Sequence, residues 1–277
     1  MKDQNTTCEV TEEIRAKENQ LKEYIQEQGT LAIAFSGGVD STYLLHVAHE
    51  VLGDNVLAVT AKASAFSERD LAEAKTFCEK EEISHEIVEI DELAIPGFVE
   101  NPPDRCYICK KGIFSELMRI AALHDIHCVA EGSNMSDLGD YRPGLKAIEE
   151  MGVKSPLREA GLYKNEIRAL SEARNLPTWS KPSAACLASR FVYGETITRE
   201  KLGMVERAEN ILSDMGFRQL RVRMHGETLA RIEVEESQLA ELLRRRQEIL
   251  TAFREIGYTY VTMDLKGYRT GSMNETL

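Results

Sequence analysis

The sequence predicts an α/β fold, a parallel β-sheet covered by helices on both faces, followed by a smaller α+β domain. In the first two thirds of the 277 residues, short apolar runs alternate with helical patterns, which is typical of parallel sheets. After residue 198 this rhythm stops, and the charge changes as well. Residues 1–198 hold 21 Lys and Arg against 33 Asp and Glu, whereas residues 199–277 hold 13 of each kind. We therefore predict two domains, 1–198 (with an N-terminal helix within residues 1–30) and 199–277.

Apolar periodicity and capping signals define the elements of the first domain. Residues 11–28 form an amphipathic helical pattern, which Thr11 can cap and Gly29 can end. The capping box "SERD" at 67–70 opens a helix that extends to about residue 82. Residues 91–105 contain three prolines and two aspartates and are predicted to form a loop. The other predicted elements are the strands "LAIAF" (31–35), "VLAVTA" (56–61), "SHEIVEI" (84–90) and "HCVAEG" (127–132), and helices over about 41–52 and 107–124.

The second domain is predicted to contain a small sheet. Its expected elements are a helix over about 199–215, the strands "QLRVRM" (219–224) and "LARIEV" (229–234), a long helix over about 236–256 and the strand "YTYVTMDL" (258–265). Within the long helix, "LLRRRQE" at 242–248 is interpreted as a solvated face. The sequence shows no internal repeat and no low-complexity segment.

Charge and composition limit the possible partners. The net charge of −12 argues against electrostatic binding of nucleic acid. No apolar run has the length of a membrane span, and the N-terminus lacks a secretory apolar region, so we expect a cytoplasmic protein without a membrane partner. The six cysteines in such a chain indicate metal binding or catalysis more than a disulfide framework.

The stretch "AFSGGVDSTYLL" at 34–45 breaks an apolar strand with two glycines. Ligands of open parallel sheets bind beyond the carboxyl ends of the strands, where glycines let the backbone approach a ligand and a helix N-terminus attracts anions. Ser36 and Ser41 add hydroxyl groups. Asp40 would suit a phosphate site only if it holds a metal or caps the helix. A generic double glycine would indicate only a strand–turn–helix corner.

The hexapeptide "SGGVDS" resembles the pyrophosphate-binding loop (PP-loop) of the ATP pyrophosphatase superfamily, and it follows a first strand as it does there. It is neither a Walker loop nor GxGxxG, because the lysine and the glycine spacing are missing. The resemblance implies an enzyme that splits ATP between its α- and β-phosphates and adenylates a substrate. It also implies that Ser36, Gly37, Gly38, Asp40 and Ser41 bind ATP.

Further stretches resemble one family within this superfamily, the LarE-type sulfur transferases. They are "DRCYICKK" (104–111), "EGSNMSDLGDYRPGLKA" (131–147), "KPSAACLASRFVYG" (181–194), "RVRMHGETLARIEV" (221–234) and "VTMDLKGYRTGSMN" (261–274). The resemblance implies conversion of pyridinium-3,5-biscarboxylic acid mononucleotide to its thiocarboxylate form, the ligand of the nickel pincer nucleotide cofactor. We also expect a homo-oligomer, with residues 199–277 serving substrate binding and oligomerisation.

The resemblance also implies roles for single residues. Asp40 is the candidate for contacting Mg²⁺, a task that Asp137 or Asp140 could share, and Gly132 and Arg142 are expected near ATP. The residues implied for the mononucleotide are Ser189, Arg190, Glu209, Arg221, Arg223 and Glu233. Arg221 and Arg223 alternate on one strand face, which can hold a phosphate by forked hydrogen bonds. The alternative is that these residues are solvent-facing charges of an amphipathic strand.

Three cysteines bear on the source of sulfur. The resemblance implies that Cys106, Cys109 and Cys186 hold a 4Fe–4S cluster whose remaining iron can carry an extra sulfide, since thiolates are the usual ligands of such clusters. In other members of the family one cysteine gives up its own sulfur, and here that residue would be Cys186. Spacing alone also leaves open a zinc site, although structural zinc takes four ligands, or a redox pair.

Two rival functions use the same loop. A tRNA-thiolating enzyme would share the ATP chemistry, but it would favour a basic surface for the phosphate backbone. A regulatory protein that binds ATP without turnover would not need the intact serines, Asp40 and the three cysteines.

Overall fold

The computed structural model describes residues 8–138, 143–182, 185–269 and 271–276. The chain forms two compact units. The first comprises Met1–Ala63, Glu68–Ile90 and Cys106–Ser183, and the second comprises Ser64–Ser67, Asp91–Arg105 and Ala184–Leu277. The boundary after residue 198 stays a prediction.

The first unit is built around a parallel sheet. Its elements are α1 (Glu12–Gln28), β1 (Leu31–Ala34), α2 (Val39–Leu52), β2 (Val56–Lys62), α3 (Glu68–Lys80), β3 (Ser84–Glu89), α4 (Arg105–Leu123), β4 (Val129–Ala130), α5 (Pro143–Glu150), α6 (Pro156–Glu159) and α7 (Lys164–Ala173). The strand order is β3-β2-β1-β4, and every neighbouring pair is parallel. The predicted α/β class is confirmed.

Capping and burial explain why this sheet forms where the sequence predicts it. Thr11 accepts a hydrogen bond from the Ile14 amide at 3.3 Å and so starts α1, and Gly29 ends that helix with a φ of 71°. The apolar residues of β1 and β2 are buried on both faces of the sheet, as continuous apolar runs predict. The central strands therefore fix the edge of the sheet at which residues 35–38 emerge.

The second unit contains a three-stranded sheet. Its elements are α8 (Arg199–Asp214), β5 (Leu220–His225), β6 (Leu229–Val234), α9 (Leu239–Arg244), α10 (Arg246–Ile256) and β7 (Tyr260–Met263). The strand β5 pairs antiparallel with β6, which pairs parallel with β7. Thr198 caps α8 by accepting a hydrogen bond from the Lys201 amide.

The prediction of one helix over 236–256 was wrong. A short 3₁₀ turn (Glu236–Gln238) leads into α9, and Arg245, with φ −89° and ψ 13°, separates α9 from α10. Apolar periodicity persists through the break, since Leu242 and Ile249 are both buried, so the pattern alone does not reveal it. Within the described ranges no helix combines the length and apolarity that crossing a membrane requires.

Candidate active site

Residues 35–38 join β1 to α2 at the carboxyl end of a central strand. Gly37 has a φ of +66°, a left-handed conformation that favours glycine. A Cβ atom there would lie 3.1 Å from the Asp70 carbonyl oxygen and 3.3 Å from the Ala74 Cβ. The loop therefore requires glycine both for its backbone conformation and for its close approach to α3.

The N-terminus of α2 is built for an anion. The helix begins after Gly38, which offers no side chain to cap it, so amide groups of the first turn remain available to a ligand. The Ser36 and Ser41 hydroxyl oxygens lie 3.1 Å apart, and Ser41 Oγ donates to the Gly38 carbonyl at 3.2 Å. Two hydroxyl groups and a helix N-terminus thus converge on the same loop.

Asp40 combines a paired and an unpaired oxygen. Its Oδ2 accepts a hydrogen bond from Lys164 Nζ, whereas Oδ1 is buried and has no hydrogen-bond partner among the described residues. Burial raises the pKa of Asp40, Lys164 opposes that rise and Asp137 adds to it. A cation at Oδ1 would offset the burial, and a carboxylate oxygen is a ligand that Mg²⁺ prefers. The site therefore fits a magnesium ion.

Gly132 lies beside this loop. It follows β4, the neighbour of β1, and a Cβ atom at Gly132 would lie 3.0 Å from the Ser41 amide nitrogen. The expected proximity of Gly132 to the ATP loop is thus a structural fact, while its role stays a prediction. Arg142 and Asp140 lie outside the described residues.

Sequence reasoning missed two lysines at this loop. Lys164, at the start of α7, pairs with Asp40. Lys181 Nζ lies 3.0 Å from the Gly37 carbonyl oxygen. Lys181 belongs to a stretch that resembles the sulfur transferases, but only the fold brings either lysine to residues more than a hundred positions away.

In the second unit, Arg190 links the segment of Cys186 to α8. Its guanidinium forms a two-pronged ion pair with Glu209, with distances of 2.8 and 2.9 Å. The same group donates to Ser189 Oγ at 2.8 Å and to the Cys186 carbonyl oxygen at 3.2 Å. Glu209 also accepts from the Val222 amide at 2.8 Å, which joins this network to β5.

Arg223 extends the network. It pairs with Glu233 on the adjacent strand at 2.8 Å and donates to the Ser189 carbonyl oxygen at 3.1 Å and to Ser272 Oγ at 3.0 Å. The Arg221 guanidinium lies over the Tyr268 ring, 5.1 Å from its centroid. All six residues predicted to bind the mononucleotide therefore lie in one region of the second unit.

The hypothesis that Arg221 and Arg223 are solvent-facing charges is wrong. They are only 7 % and 5 % exposed, because Glu233, Ser272 and Tyr268 cover them. Burial and neighbouring Arg190 lower the pKa of Arg221 to about 10, although Glu209 opposes the shift. A further anion would stabilise this concentration of buried positive charge.

The ion pair of Glu209 predicts a pH dependence of stability. Burial by itself would raise the pKa of Glu209, but Arg190 and Arg221 hold it below its ordinary value of 4.5. Its contribution to stability is therefore complete above that ordinary value and is lost as the pH falls through the lower pKa of the folded state. We expect Glu209→Gln to cost about 3–5 kcal/mol near neutral pH, as for a broken buried ion pair.

Thermal unfolding of both proteins between neutral pH and pH ~3, the acidic side of an ordinary glutamate pKa, tests this expectation. The difference in stability between wild type and Glu209→Gln should shrink as the pH falls below 4.5, and exposed Glu255→Gln serves as the matched control. A difference that stays constant over this range would contradict the assigned ion pair.

The three candidate cysteines occupy different settings. Cys106 and Cys109 lie three residues apart at the start of α4, hence on one side of that helix, and they are exposed and half-buried respectively. Half-buried Cys186 precedes the short 3₁₀ helix Leu187–Arg190 in the second unit. Within the described part of the chain, no three or more His, Cys, Asp or Glu side chains are grouped as metal ligands. This arrangement shows a thiol pair in one unit and a thiol beside the arginine network in the other.

Comparison with known proteins assigns the family. The NAD synthase family model matches residues 13–101, the part that contains β1, the PP-loop and α2. The chain is 40 % identical over 266 residues to an uncharacterised protein of Synechocystis sp., covering 95 % of this chain and 99 % of the relative. It is 37 % identical over 265 residues to the pyridinium-3,5-bisthiocarboxylic acid mononucleotide synthase of Lactiplantibacillus plantarum, covering 95 % and 96 %. An uncharacterised protein of Methanocaldococcus jannaschii is 31 % identical over 252 residues, covering 91 % of this chain and 95 % of the relative.

These similarities span both units of the chain. The protein belongs to the LarE-type family of ATP-dependent sulfur transferases within the PP-loop ATP pyrophosphatase superfamily. It is thus an enzyme, and the predicted family is confirmed.

Proposed function

We propose that the protein adenylates the carboxylates of pyridinium-3,5-biscarboxylic acid mononucleotide and converts them to thiocarboxylates for nickel pincer nucleotide synthesis. The connected network of Arg190, Glu209, Arg223 and Glu233 next to Cys186 carries this proposal. It offers cationic groups for a nucleotide phosphate beside the backbone of Cys186. The L. plantarum relative, which is named as a synthase of pyridinium-3,5-bisthiocarboxylic acid mononucleotide, supports the same substrate.

The first step activates the carboxylate. Its oxygen attacks the α-phosphorus of ATP, the bond to the β-phosphate oxygen breaks, and pyrophosphate leaves. Ser36, Ser41 and the amide groups at the start of α2 hold the departing pyrophosphate. Asp40, whose Oδ1 atom has no hydrogen-bond partner among the described residues, would hold Mg²⁺. The product is an acyl-adenylate, which accepts a sulfur nucleophile far more readily than a carboxylate does.

The second step transfers sulfur. A sulfide attacks the carbonyl carbon of the acyl-adenylate, AMP leaves with the C–O bond electrons, and a thiocarboxylate remains. We propose Cys106, Cys109 and Cys186 as ligands of a 4Fe–4S cluster, which would supply that sulfide when bound. The thiol pair on one side of α4 supports this assignment. The competing source is Cys186 itself, consumed after one turnover.

The nucleotide phosphate of the substrate is bound by four residues of the second unit, Ser189, Arg190, Arg221 and Arg223. Glu209 and Glu233 hold the arginines in place. We propose a cytoplasmic homo-oligomer, with residues 199–277 serving substrate binding and assembly.

Release of pyrophosphate tests the substrate. With ATP and Mg²⁺, the pyridinium dicarboxylate nucleotide should stimulate release, and bulk tRNA should not. Stimulation by tRNA alone would replace the proposal with tRNA thiolation. Binding of ATP without release of pyrophosphate, whichever substrate is added, would indicate a regulatory protein.

Replacing Arg221 tests the phosphate site. Losing one charge-assisted contact costs about 1.5–3 kcal/mol, roughly ten- to a hundredfold in affinity. We expect Arg221→Ala to weaken binding of the pyridinium nucleotide on this scale, with ATP binding unchanged. Arg223→Ala is less informative, because it also breaks the buried pair with Glu233.

Calorimetric titration of the purified protein measures both affinities. Exposed Arg218 just before β5 provides the matched control, Arg218→Ala, which should bind like wild type. Equal affinities for Arg221→Ala and wild type would contradict the role of Arg221.

A further inference from the structure

Helix α7 presents two cations toward the PP-loop region. Lys164 in its first turn pairs with Asp40. One turn later, Arg168 is 2 % exposed and donates to the Trp179 carbonyl oxygen at 2.6 Å and to the Lys181 carbonyl oxygen at 2.7 Å. Residues four apart lie on the same face of a helix. The face that reaches Asp40 therefore also holds the backbone of residues 179–181.

The side chain of Lys181 extends from this backbone segment to the PP-loop. Its Nζ donates to the Gly37 carbonyl oxygen at 3.0 Å, and Asp70 and Glu73 of α3 each lie 2.7 Å from it. Its side chain is 18 % exposed, so a ligand can reach it. These contacts close a ring from Asp40 through α7 and residues 179–181 to Gly37, entirely within the first unit.

The carboxylates explain how this lysine stays charged. Burial alone would lower the pKa of Lys181, but Asp70 and Glu73 raise it above its ordinary value. The ammonium group of Lys181 lies beside a loop that binds pyrophosphate. It can therefore replace its hydrogen bond to a carboxylate with one to a phosphate oxygen. Phosphate oxygens are strong acceptors of charge-assisted hydrogen bonds.

We propose that Lys181 binds a β- or γ-phosphate of ATP, leaving Asp70 and Glu73 when the nucleotide enters. Arg168 is its positioning residue, since it holds the carbonyl group of Lys181 itself and that of Trp179, two residues earlier. The inference rests on the ATP-binding function of Ser36–Ser41. It adds a contact from a segment that the PP-loop motif does not contain.

Binding of Mg²⁺ and α,β-methylene-ATP to the full-length protein tests this inference by calorimetry. We expect Lys181→Met to weaken binding about ten- to a hundredfold, and Lys181→Arg to restore most of it. Exposed Lys75, on α3 and 3.8 Å from Glu79, provides the control Lys75→Met, which should bind like wild type.

A double-mutant cycle separates positioning from a general structural role. If Arg168 acts through Lys181, Arg168→Lys weakens binding in wild type but adds little in Lys181→Met. Circular dichroism verifies that each variant is folded, and Lys181→Met alone still decides the phosphate contact if Arg168→Lys does not fold.

Each outcome has a distinct meaning. Unchanged affinity of Lys181→Met, with wild type binding the analogue, would overturn this inference alone. Additive effects of the two substitutions would overturn the positioning role of Arg168. Failure of wild type to bind the analogue would overturn the inference together with the ATP-binding function.

Discussion

Asp40→Asn should abolish AMP formation while the protein stays folded. The substitution keeps the shape of the side chain but removes the charge that would hold Mg²⁺ at the buried Oδ1 atom. A metal ion contributes several kcal/mol to stabilising a transferring phosphoryl group, so we expect a loss on the order of a thousandfold. Production of AMP and pyrophosphate from ATP and the pyridinium nucleotide is the measurement.

Two matched variants support this test. Ser36→Ala should also lower AMP formation strongly, because Ser36 shares the loop with Ser41. Exposed Asp54, just beyond α2, provides the control Asp54→Asn, which should keep wild-type activity. Undiminished AMP formation by Asp40→Asn would disprove its assignment to the ATP site.

Replacing any of Cys106, Cys109 or Cys186 by alanine should abolish thiolation and leave adenylation intact. If the three thiolates hold a 4Fe–4S cluster, each variant loses iron, labile sulfide and visible absorbance together. Adenylation survives because Ser36–Ser41 forms a separate site. The measurements are iron and sulfide analysis of anaerobically purified protein, with AMP and thiocarboxylate formation assayed in parallel.

A sacrificial Cys186 predicts a different pattern. Cys106→Ala would still complete one turnover, and the spent wild type would weigh one sulfur less by mass spectrometry. Cys128, half-buried beside the core of the first unit, provides the control Cys128→Ala, which should keep its iron. Iron-free protein that shows the mass loss would rule out the cluster and leave Cys186 as the donor.

Much of the fold could be predicted because local signals and burial agree. Thr11, Gly29 and Thr198 mark helix ends by hydrogen bonding and backbone conformation, which depend on neighbouring residues. The apolar runs of β1 and β2 are short, as is typical of buried strands. The double glycine marked the ligand-binding loop in the sequence, and in the structure Gly37 has the left-handed conformation that favours glycine.

The parts that sequence could not supply depend on contacts between distant segments. Alternating Arg221 and Arg223 are compatible with an exposed strand face, and only their pairing across the sheet and under Tyr268 makes them buried. Lys164 and Lys181 likewise belong to the candidate site only because they contact Asp40 and Gly37, which lie more than a hundred residues earlier in the chain. The break at Arg245 leaves apolar periodicity unchanged, so a pattern of buried residues could not show it.

Mass spectrometry of the nucleotide product is the most direct test of the proposed reaction. Protein incubated with ATP, Mg²⁺, a sulfide source and pyridinium-3,5-biscarboxylic acid mononucleotide should yield a product in which sulfur replaces a carboxylate oxygen, together with AMP and pyrophosphate. Asp40→Asn should return the nucleotide unchanged. Pyrophosphate release without any sulfur in the nucleotide, under conditions in which the cysteines stay reduced, would contradict the proposed sulfur transfer to this substrate.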